Sequence, residues 1–296
     1  MNAVKQATAL SLSLYHNLIK LSRYGRPKVR QTEFSMETLV TKILVQLVSC
    51  KLFHATWAIR WSLFYDLSYP FDANTIYWPQ AQKFQFTKQI INDGVNWYSS
   101  KEFVASEHGG THLDAPYHFY EQGNFVGNIP LKDLIVPLII ADVSSMVNDD
   151  PNFVLYKHHL DFMINENFGK PCLIVFKFGW SKFVNDKQKY LGLGPNNTLN
   201  FPGLSSEVMD WITTSYKNVV GVGVDTSSVD PGASKDLPVH KLGSKAGLYN
   251  IENVNLSTTI PEYGCTALVM PMKIAQGSGA PVRFVAVCPK QVQTEF

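Results

Sequence analysis

Short runs of consecutive apolar residues are the most regular feature of the chain after residue 60. They are rich in Val, Ile and Leu, and they span residues 134–141, 173–178, 219–224 and 267–272. Runs of this length and composition are typical of strands in a sheet that is covered on both faces. Apolar and polar residues also alternate from Trp61, which predicts a shorter strand that closes at residues 66–70.

Helical patterns are fewer. The clearest covers residues 205–217, where Ser205 can cap the first turn and Val208, Trp211 and Ile212 mark one face. A second, short helix is expected to begin at Pro238 and to end near residue 247. Residues 185–203 are dense in Gly, Pro and Asn, which predicts a loop. With no repeat and no linker after residue 60, we expect one mixed α/β domain over residues 61–296.

Charge is distributed unevenly along the chain. Nine of the 26 Lys and Arg residues, but only Glu33 and Glu37 of the 24 acidic residues, lie within residues 1–60. The remainder holds 17 basic and 22 acidic residues, which argues against a nucleic-acid groove. No stretch reaches the ~18 to 20 uninterrupted apolar residues of a membrane span. We therefore expect that the folded part neither binds nucleic acid nor spans a membrane.

The four cysteines are widely spaced and form no CxxC pair, so neither a zinc finger nor a disulfide framework is indicated. We expect Cys50, Cys172, Cys265 and Cys288 to be buried thiols.

Residues 1–60 are predicted to be a targeting or disordered segment. Residues 1–32 contain no acidic side chain and end in a basic run, as in a transit peptide. A second possible start, Met36, precedes the short apolar run 43–50, which favours secretion, with a mitochondrial address as the alternative. The sequons at Asn196 and Asn255 are compatible with secretion. A surface helix with an apolar face is the structural alternative for this segment.

Candidate chemistry is concentrated in residues 108–118, which read HGGTHLDAPYH and hold three of the eight histidines. His108, His112, Asp114 and His118 stand at even offsets, which a strand directs to one face. Glycines at 109 and 110 and the proline at 116 disfavour a helix here. The pattern predicts a glycine-kinked strand with imidazole and carboxylate ligands of the kind that zinc or manganese takes.

A hydrogen-bonded structural role is the alternative for any one of these histidines. Burying three histidines and an aspartate together without a metal or partner charges would be costly, which favours a site. His240 on the second predicted helix and Glu252 on the strand after it offer a further nitrogen and carboxylate pair. Residues 220–230, a buried strand ending in hydroxyl and carboxylate side chains, also resemble site material, although a simple Asx turn would explain Asp225 or Asp230.

These residues bring out a family resemblance. The chain resembles the metal-dependent cyclase family that contains bacterial-type kynurenine formamidase and isatin hydrolase. Its pattern HxGTHxDxPxH is met in full by residues 108–118, and further matches lie at 66–68, 223–230 and 270–283, and at His240 with Glu252. Together the matches span roughly residues 62 to 288.

The resemblance implies roles for individual residues. His108, His112 and Asp114 would hold one divalent ion, zinc or manganese, and Asp114 would be shared with a second ion held by His240 and Glu252. His118 would be the catalytic acid and base. The resemblance also implies a swivelling beta/beta/alpha fold and a homodimer or larger homo-oligomer.

The expected activity is hydrolysis of a C–N amide bond in a small aromatic substrate. N-formylkynurenine is the first candidate, and isatin, opened at its cyclic amide, is the alternative. Residues 180–183 and 200–203 look closer to the isatin-hydrolase branch. A rival of another class is a non-catalytic binding protein that keeps the metal for stability; the presence of His118 argues against it, because a structural site needs no spare base.

Overall fold

The structure is a computed structural model, and it describes residues 62–163, 170–195 and 198–290. The predicted targeting segment 1–60, Cys50 and Asn196 of the first sequon lie outside the described residues. The boundary near residue 60 therefore stays a prediction.

Strands dominate the described residues, and most of them join one sheet. Eight strands follow the order β1, β12, β11, β5, β7, β9, β10, β4, and a further pairing joins β4 back to β12. The strands are β1 (Ser62–Asp66), β2 (Gln85–Asn92), β3 (Tyr98–Val104), β4 (His112–Asp114), β5 (Ile135–Asp142), β6 (Val154–Leu155), β7 (Cys172–Lys177), β8 (Gly203–Leu204), β9 (Val219–Val224), β10 (Tyr249–Glu252), β11 (Cys265–Pro271) and β12 (Gly279–Pro289).

The long strand β12 closes this sheet into a ring. Its first residues pair with β4 and its last residues pair with β1, while β11 runs along the opposite edge. Seven strands therefore form a closed, barrel-like sheet, to which β1 is attached. Pairs β5–β7, β7–β9 and β9–β10 are parallel, and the pairs that involve β4, β11 or β12 are antiparallel. The sheet is therefore mixed.

Alternate residues of the strands fill two separate cores. Leu138, Val175, Ile251, Val269 and Phe284, from five strands of the ring, belong to one cluster, which fills the interior of the ring. The intervening residues of β5, β7 and β9 face the helices and loops on the outside. Both faces of the parallel strands are thus covered, which is why they carry continuous apolar runs.

Helices are short and lie between strands. The helix α4 begins after Ser205, whose hydroxyl accepts a hydrogen bond from the backbone N–H of Val208, and it packs Val208, Met209 and Ile212 into the outer core. The described α-helices are α1 (Leu131–Leu134), α2 (Ser144–Val147), α3 (Lys187–Leu191), α4 (Ser206–Ser215) and α5 (Pro238–Lys245). Short 3₁₀ turns occur at Pro116–His118, Val126–Asn128, Lys157–Met163 and Trp180–Phe183. No described helix has the length and apolar character needed to cross a bilayer.

The predicted buried strands are confirmed to within two residues at each end, and so are the starts of α4 and α5. Two predictions are wrong. Residues 185–203 are not wholly a loop, because Asp186 caps the helix α3 through the backbone N–H of Lys189. Residues 108–118 are not one extended strand, because only residues 112–114 pair in the sheet.

The break in residues 108–118 has two local causes. Gly110 adopts a left-handed conformation with φ of 55°, and Pro116 begins the 3₁₀ turn that holds His118. Even spacing therefore does not place these histidines on one face of a strand. They converge because the chain turns on both sides of β4.

The expectation for the cysteines is also corrected. Cys265 and Cys288 stand opposite each other at the ends of β11 and β12 and form a disulfide. Their separation of 23 residues gives no hint of this pairing, which depends on the register of the two strands. Cys172 is a buried free thiol, as expected.

Candidate metal centre

Pairing of β4 with β10 forms the base of the site. The two strands run antiparallel with His112 opposite Glu252, so that both side chains lie on the same face. The distance from His112 Nε2 to Glu252 Oε2 is 3.5 Å. His112, Asp114 and Glu252 are all buried. A strand pair thus brings a histidine and a carboxylate together from segments 140 residues apart.

Helix α5 delivers the next ligand candidate, His240. The turn after β9 holds the start of this helix, because Asp230 Oδ1 accepts a hydrogen bond from the backbone N–H of Val239 and Oδ2 accepts one from that of His240. Asp230 Oδ2 also lies 2.7 Å from His240 Nδ1. With Nδ1 engaged in this way, His240 presents Nε2 to the site.

Asp114 stands at the centre of the cluster, and its two oxygens face different partners. Oδ1 lies 2.6 Å from His108 Nδ1 and 3.2 Å from His112 Nε2. Oδ2 lies 3.2 Å from His240 Nε2, which is in turn 3.0 Å from Glu252 Oε1. Asp114 therefore contacts all three of these imidazoles, and Glu252 lies close to both His112 and His240.

The imidazole of His112 is oriented by its own loop. Its Nδ1 lies 3.0 Å from the carbonyl oxygen of Gly110, which fixes Nδ1 as a donor and directs Nε2 towards Asp114 and Glu252. Glycine is required beside it, because a Cβ on Gly109 would lie 1.9 Å from the Tyr77 ring. The two glycines that broke the predicted strand thus set the direction of a ligand candidate.

Burial and mutual charge shift the titration of the cluster. Burial lowers the pKa of His112, but Asp114 and Glu252 outweigh it and raise that pKa to about 9. Burial raises the pKa of Asp114, but His112 and hydrogen bonds from the surrounding imidazoles hold it well below its usual range. Burial likewise opposes charge on His240, yet Asp114, Asp230 and Glu252 raise its pKa well above the ordinary value. The two carboxylates of the cluster thus attract positive charge to its centre.

His118 occupies a different position from the other candidates. Its ring stacks on that of His108 with centroids 3.9 Å apart and also lies 4.4 Å from the ring of Phe119. Burial lowers the pKa of His118 to about 4, so the ring is neutral at pH 7. A neutral imidazole beside the cluster can accept a proton.

A cavity of about 280 Å³ opens directly onto these groups. The histidines, Asp114 and Glu252 form its polar floor, and Tyr77, Trp78 and Phe119 supply aromatic walls. Trp78 is 41% exposed, so one wall is accessible from solvent. A cavity with apolar walls and a few convergent polar groups is typical of a small-molecule site.

The donor set fits a divalent cation. His112, Asp114 and Glu252 each offer a ligand atom within 4.8 Å of the others, and so do His108, Asp114 and His118. Imidazole nitrogens and carboxylate oxygens suit zinc, manganese and related ions. Asp114 Oδ1 faces two histidine nitrogens at short range, and a cation between these atoms would satisfy all of them. The geometry can accommodate one ion or two.

All six residues singled out from the sequence, His108, His112, Asp114, His118, His240 and Glu252, line this one cavity. Two residues behind them, Asp225 and Asp230, lie in the segment 220–230 that resembled site material, where an Asx turn was the alternative. Asp230 orients His240. Asp225 accepts hydrogen bonds from the backbone N–H groups of Phe178, Trp180 and Ser181, and so it shapes the loop after β7. Burial raises the pKa of Asp225 to about 6 against these bonds.

Comparison with known proteins supplies independent information. Residues 65–231 match the family model described as "Putative cyclase". The chain is 27% identical over 209 residues to isatin hydrolase of Roseibium aggregatum, covering 66% of this chain and 75% of the relative. It is 26% identical over 220 residues to kynurenine formamidase of Bacillus cereus, covering 74% and 95%. The solved structure of isatin hydrolase A from Ralstonia solanacearum superposes with a TM-score of 0.69 at 23% identity, covering 88% of this chain and all of that one.

Proposed function

The chain belongs to the cyclase family, and on that premise we propose that it is a metal-dependent hydrolase of a C–N amide bond in a small aromatic substrate. The leading candidate is N-formylkynurenine, which an arylformamidase converts to kynurenine. The observation that carries the proposal is the convergence of four histidines, Asp114 and Glu252 on one cavity with aromatic walls. The kynurenine formamidase of Bacillus cereus, matched over 95% of its length, supports the choice of substrate.

We assign His108, His112 and Asp114 to one divalent ion, and Asp114, His240 and Glu252 to a second. This division is the one that the family resemblance implies, and the Asp114 carboxylate supports it, since Oδ1 faces His108 and His112 while Oδ2 faces His240. Zinc and manganese both suit this mixture of imidazole and carboxylate donors. Such an ion, when bound, would activate a water molecule and polarise the substrate carbonyl.

His118 is assigned the proton transfers. Its pKa of about 4 leaves the ring nitrogen unprotonated at neutral pH, so that it can accept a proton from water and pass it to the leaving nitrogen. The stacked ring of His108 fixes its distance from the cluster. General acid–base catalysis of this kind contributes about 10²- to 10⁴-fold in rate.

The aromatic walls are assigned to the ring of the substrate. Tyr77, Trp78 and Phe119 surround the cavity above the polar floor, and offset or edge contacts between aromatic rings are each worth about 0.5 to 1.5 kcal/mol. A ring held by these walls would place an attached amide carbonyl over Asp114 and His118.

Opening of a cyclic amide, as in isatin, is the second candidate. The superposition on an isatin hydrolase over 88% of the chain favours it. The segments that looked closest to that branch carry less weight, because Trp180 and Phe201 are buried in the outer core and do not line the cavity. Their part is to support the fold.

A direct test compares hydrolysis of N-formylkynurenine and of isatin by the purified protein, before and after removal of metal with a chelator and again after zinc or manganese is restored. We expect turnover of one substrate to disappear with the metal and to return with it. Trp78→Ala should raise KM for that substrate, whereas Tyr156→Ala, a change at an exposed aromatic residue that neither lines the cavity nor lies on the β2–β3 hairpin, is the control. A metal-loaded protein that hydrolyses neither substrate would favour the non-catalytic binding protein.

A homo-oligomer is also part of the proposal. The hairpin of β2 and β3 is exposed along its whole length and displays large apolar side chains, including Ile91 at 56%, Trp97 at 72% and Tyr98 at 51% exposure. Exposed apolar patches of this kind mark interaction sites. We assign the hairpin to contact with a second copy. Ile91→Asp should shift the mass measured by light scattering towards that of a monomer, and Lys101→Ser on the same hairpin should not.

We propose that residues 1 to about 58 direct the protein to secretion and are removed from the mature form. Disulfides persist in oxidising compartments, so the Cys265–Cys288 bond supports it. Mass spectrometry of the natural protein provides the test, and an intact Met1 in the mature form would contradict it.

For the fold, we propose the swivelling beta/beta/alpha class as the finer description of the mixed α/β architecture.

A further inference from the structure

His108 is held from behind by two residues that are outside the proposed ligand set. Ser278, in the turn before β12, places its Oγ 2.8 Å from His108 Nε2. Glu107 Oε2 accepts hydrogen bonds from the backbone N–H of Ser278 at 3.0 Å and from its hydroxyl at 2.8 Å. A carboxylate, a hydroxyl and an imidazole therefore form a continuous chain that ends at the metal cluster.

The direction of these hydrogen bonds follows from the chemistry of the groups. An ionised carboxylate has no proton to donate, so the hydroxyl proton of Ser278 is directed to Glu107. The Oγ of Ser278 then has only lone pairs to offer, and His108 Nε2 must carry the proton that is shared with it. The opposite nitrogen, Nδ1, is left with a lone pair, 2.6 Å from Asp114 Oδ1.

This arrangement is the reverse of that at the other two histidines. His112 and His240 engage Nδ1, with the carbonyl of Gly110 and with Asp230 respectively, and so direct Nε2 towards the cluster. His108 engages Nε2 and directs Nδ1 towards it. The cluster thus contains two histidines oriented through one nitrogen and a third oriented through the other.

The backbone on either side of Ser278 is closely packed and leaves no room for a side chain at either neighbouring glycine. A Cβ on Gly279 would lie 2.5 Å from His108 Cε1 and 2.7 Å from the carbonyl oxygen of Leu113, and a Cβ on Gly277 would lie 2.9 Å from Glu107 Oε1. The carbonyl of Ser278 also accepts a hydrogen bond from the backbone N–H of Ala115 at 2.8 Å. Ser278 is therefore held by Glu107, which precedes β4 in the chain, and by Ala115, which directly follows β4.

We propose that Glu107 and Ser278 are positioning residues that fix the tautomer and ring orientation of His108, so that this histidine ligates the first ion through Nδ1. The inference deepens the proposed function and rests on the metal site assigned there. Partners of this kind behind a ligand typically change metal affinity by about 10- to 100-fold when they are removed. Neither residue touches the substrate cavity in the described structure.

The tautomer of each ring can be measured without any assay of activity. Two-bond proton–nitrogen correlation spectra of the unmutated, zinc-loaded protein, with nitrogen-15 in its histidines, identify which ring nitrogen carries the proton. We expect Nε2 of His108 to be protonated and Nδ1 to carry the metal shift, with the opposite pattern at His112 and His240. Coordination of all three through Nε2 would overturn the proposal.

Substitutions test the positioning role through metal affinity, measured by competition with a chromophoric chelator. Ser278→Ala and Glu107→Gln should each weaken binding of the first zinc ion by about 10- to 100-fold, and Ser278→Thr, which keeps the hydroxyl, should restore it. Ser257→Ala and Glu121→Gln, changes at exposed residues outside the cavity, are the matched controls. Unchanged affinity in both Ser278→Ala and Glu107→Gln would overturn the role.

These outcomes are separate from those of the proposed function. A protein that hydrolyses neither candidate substrate, but binds zinc through Nδ1 of His108, retains this inference and loses the activity. A protein that is active but has all three histidines bound through Nε2 retains the activity and loses this inference. Should Ser278→Ala fail to fold, the spectrum of the unmutated protein and the affinity of Glu107→Gln decide the matter.

Discussion

Asp114 Oδ2 lies 3.2 Å from His240 Nε2, although 126 residues separate the two side chains. The contact exists because β4 pairs with β10 inside the closed ring, while α5, which precedes β10, packs against β10 and against the turn Pro116–His118. Closure of the ring therefore also brings the separate parts of the site together. Substitutions at the cluster test both the chemistry and this architecture.

Removal of a central ligand should empty the site. In His112→Ala we expect most of the bound zinc or manganese to be lost, because His112 Nε2 faces both Asp114 and Glu252. Metal content after dialysis, measured by inductively coupled plasma mass spectrometry, provides the readout. His158→Ala, at an exposed histidine outside the cavity, should keep its metal. Full occupancy in His112→Ala would refute the assignment.

Loss of Glu252 should distinguish one ion from two. If the Asp114 carboxylate is shared, Glu252→Ala should reduce the stoichiometry from two ions to one and lower turnover, since a single centre must then serve both the water and the carbonyl. Glu262→Ala, at an exposed glutamate, is the control. One ion in both the unmutated and the Glu252→Ala protein, with undiminished turnover, would show that Glu252 has a structural role through its bond to the backbone of Val229.

Substitution of His118 should separate catalysis from metal binding. We expect His118→Gln to retain its metal while kcat falls by about 10²- to 10⁴-fold, because the proton acceptor is lost but the ligand set is intact. Steady-state kinetics on the preferred substrate, together with metal analysis, measure both. Phe119→Leu, a change at the neighbouring cavity wall, should act mainly on KM. An unchanged kcat in His118→Gln would remove the residue from the mechanism.

Much of the fold and of the candidate site can be predicted from the sequence because the relevant signals are local. Continuous apolar runs identified β5, β7, β9 and β11, and Ser205 identified the start of α4. The residues of the cluster were found for a similar reason, since a metal site needs particular side chains that are rare in such density.

What escaped prediction depends on long-range register. The Cys265–Cys288 bond follows from the pairing of β11 with β12, and the roles of Glu107 and Ser278 require residues 171 positions apart to meet. The predicted strand at residues 108–118 failed because the backbone freedom of Gly110 admits a left-handed turn, which a pattern of even offsets cannot reveal. Side-chain identity pointed to the site, but only tertiary structure orients it.

Among the described residues only Cys172 carries a free thiol, and its reaction with thiol reagents should depend strongly on pH. Cys265 and Cys288 are joined, and burial raises the pKa of the Cys172 thiol to about 11. At pH 8 only about one in a thousand Cys172 side chains would then be ionised, and the thiolate is the reactive form. Reaction of native protein should therefore be negligible at pH 8 and should rise about tenfold for each pH unit up to pH 10.

Counting thiols in a Cys50→Ser variant makes the test quantitative, because Cys50 lies outside the described residues. We expect no reactive thiol in the native protein, one after unfolding without reductant, and three after unfolding with reductant. The bond closes a loop of 23 residues. Its loss in Cys265→Ala should lower the free energy of unfolding by about 3 kcal/mol, which a shift in the denaturant midpoint would measure. Three thiols in unfolded protein that has met no reductant would show that Cys265 and Cys288 are not joined.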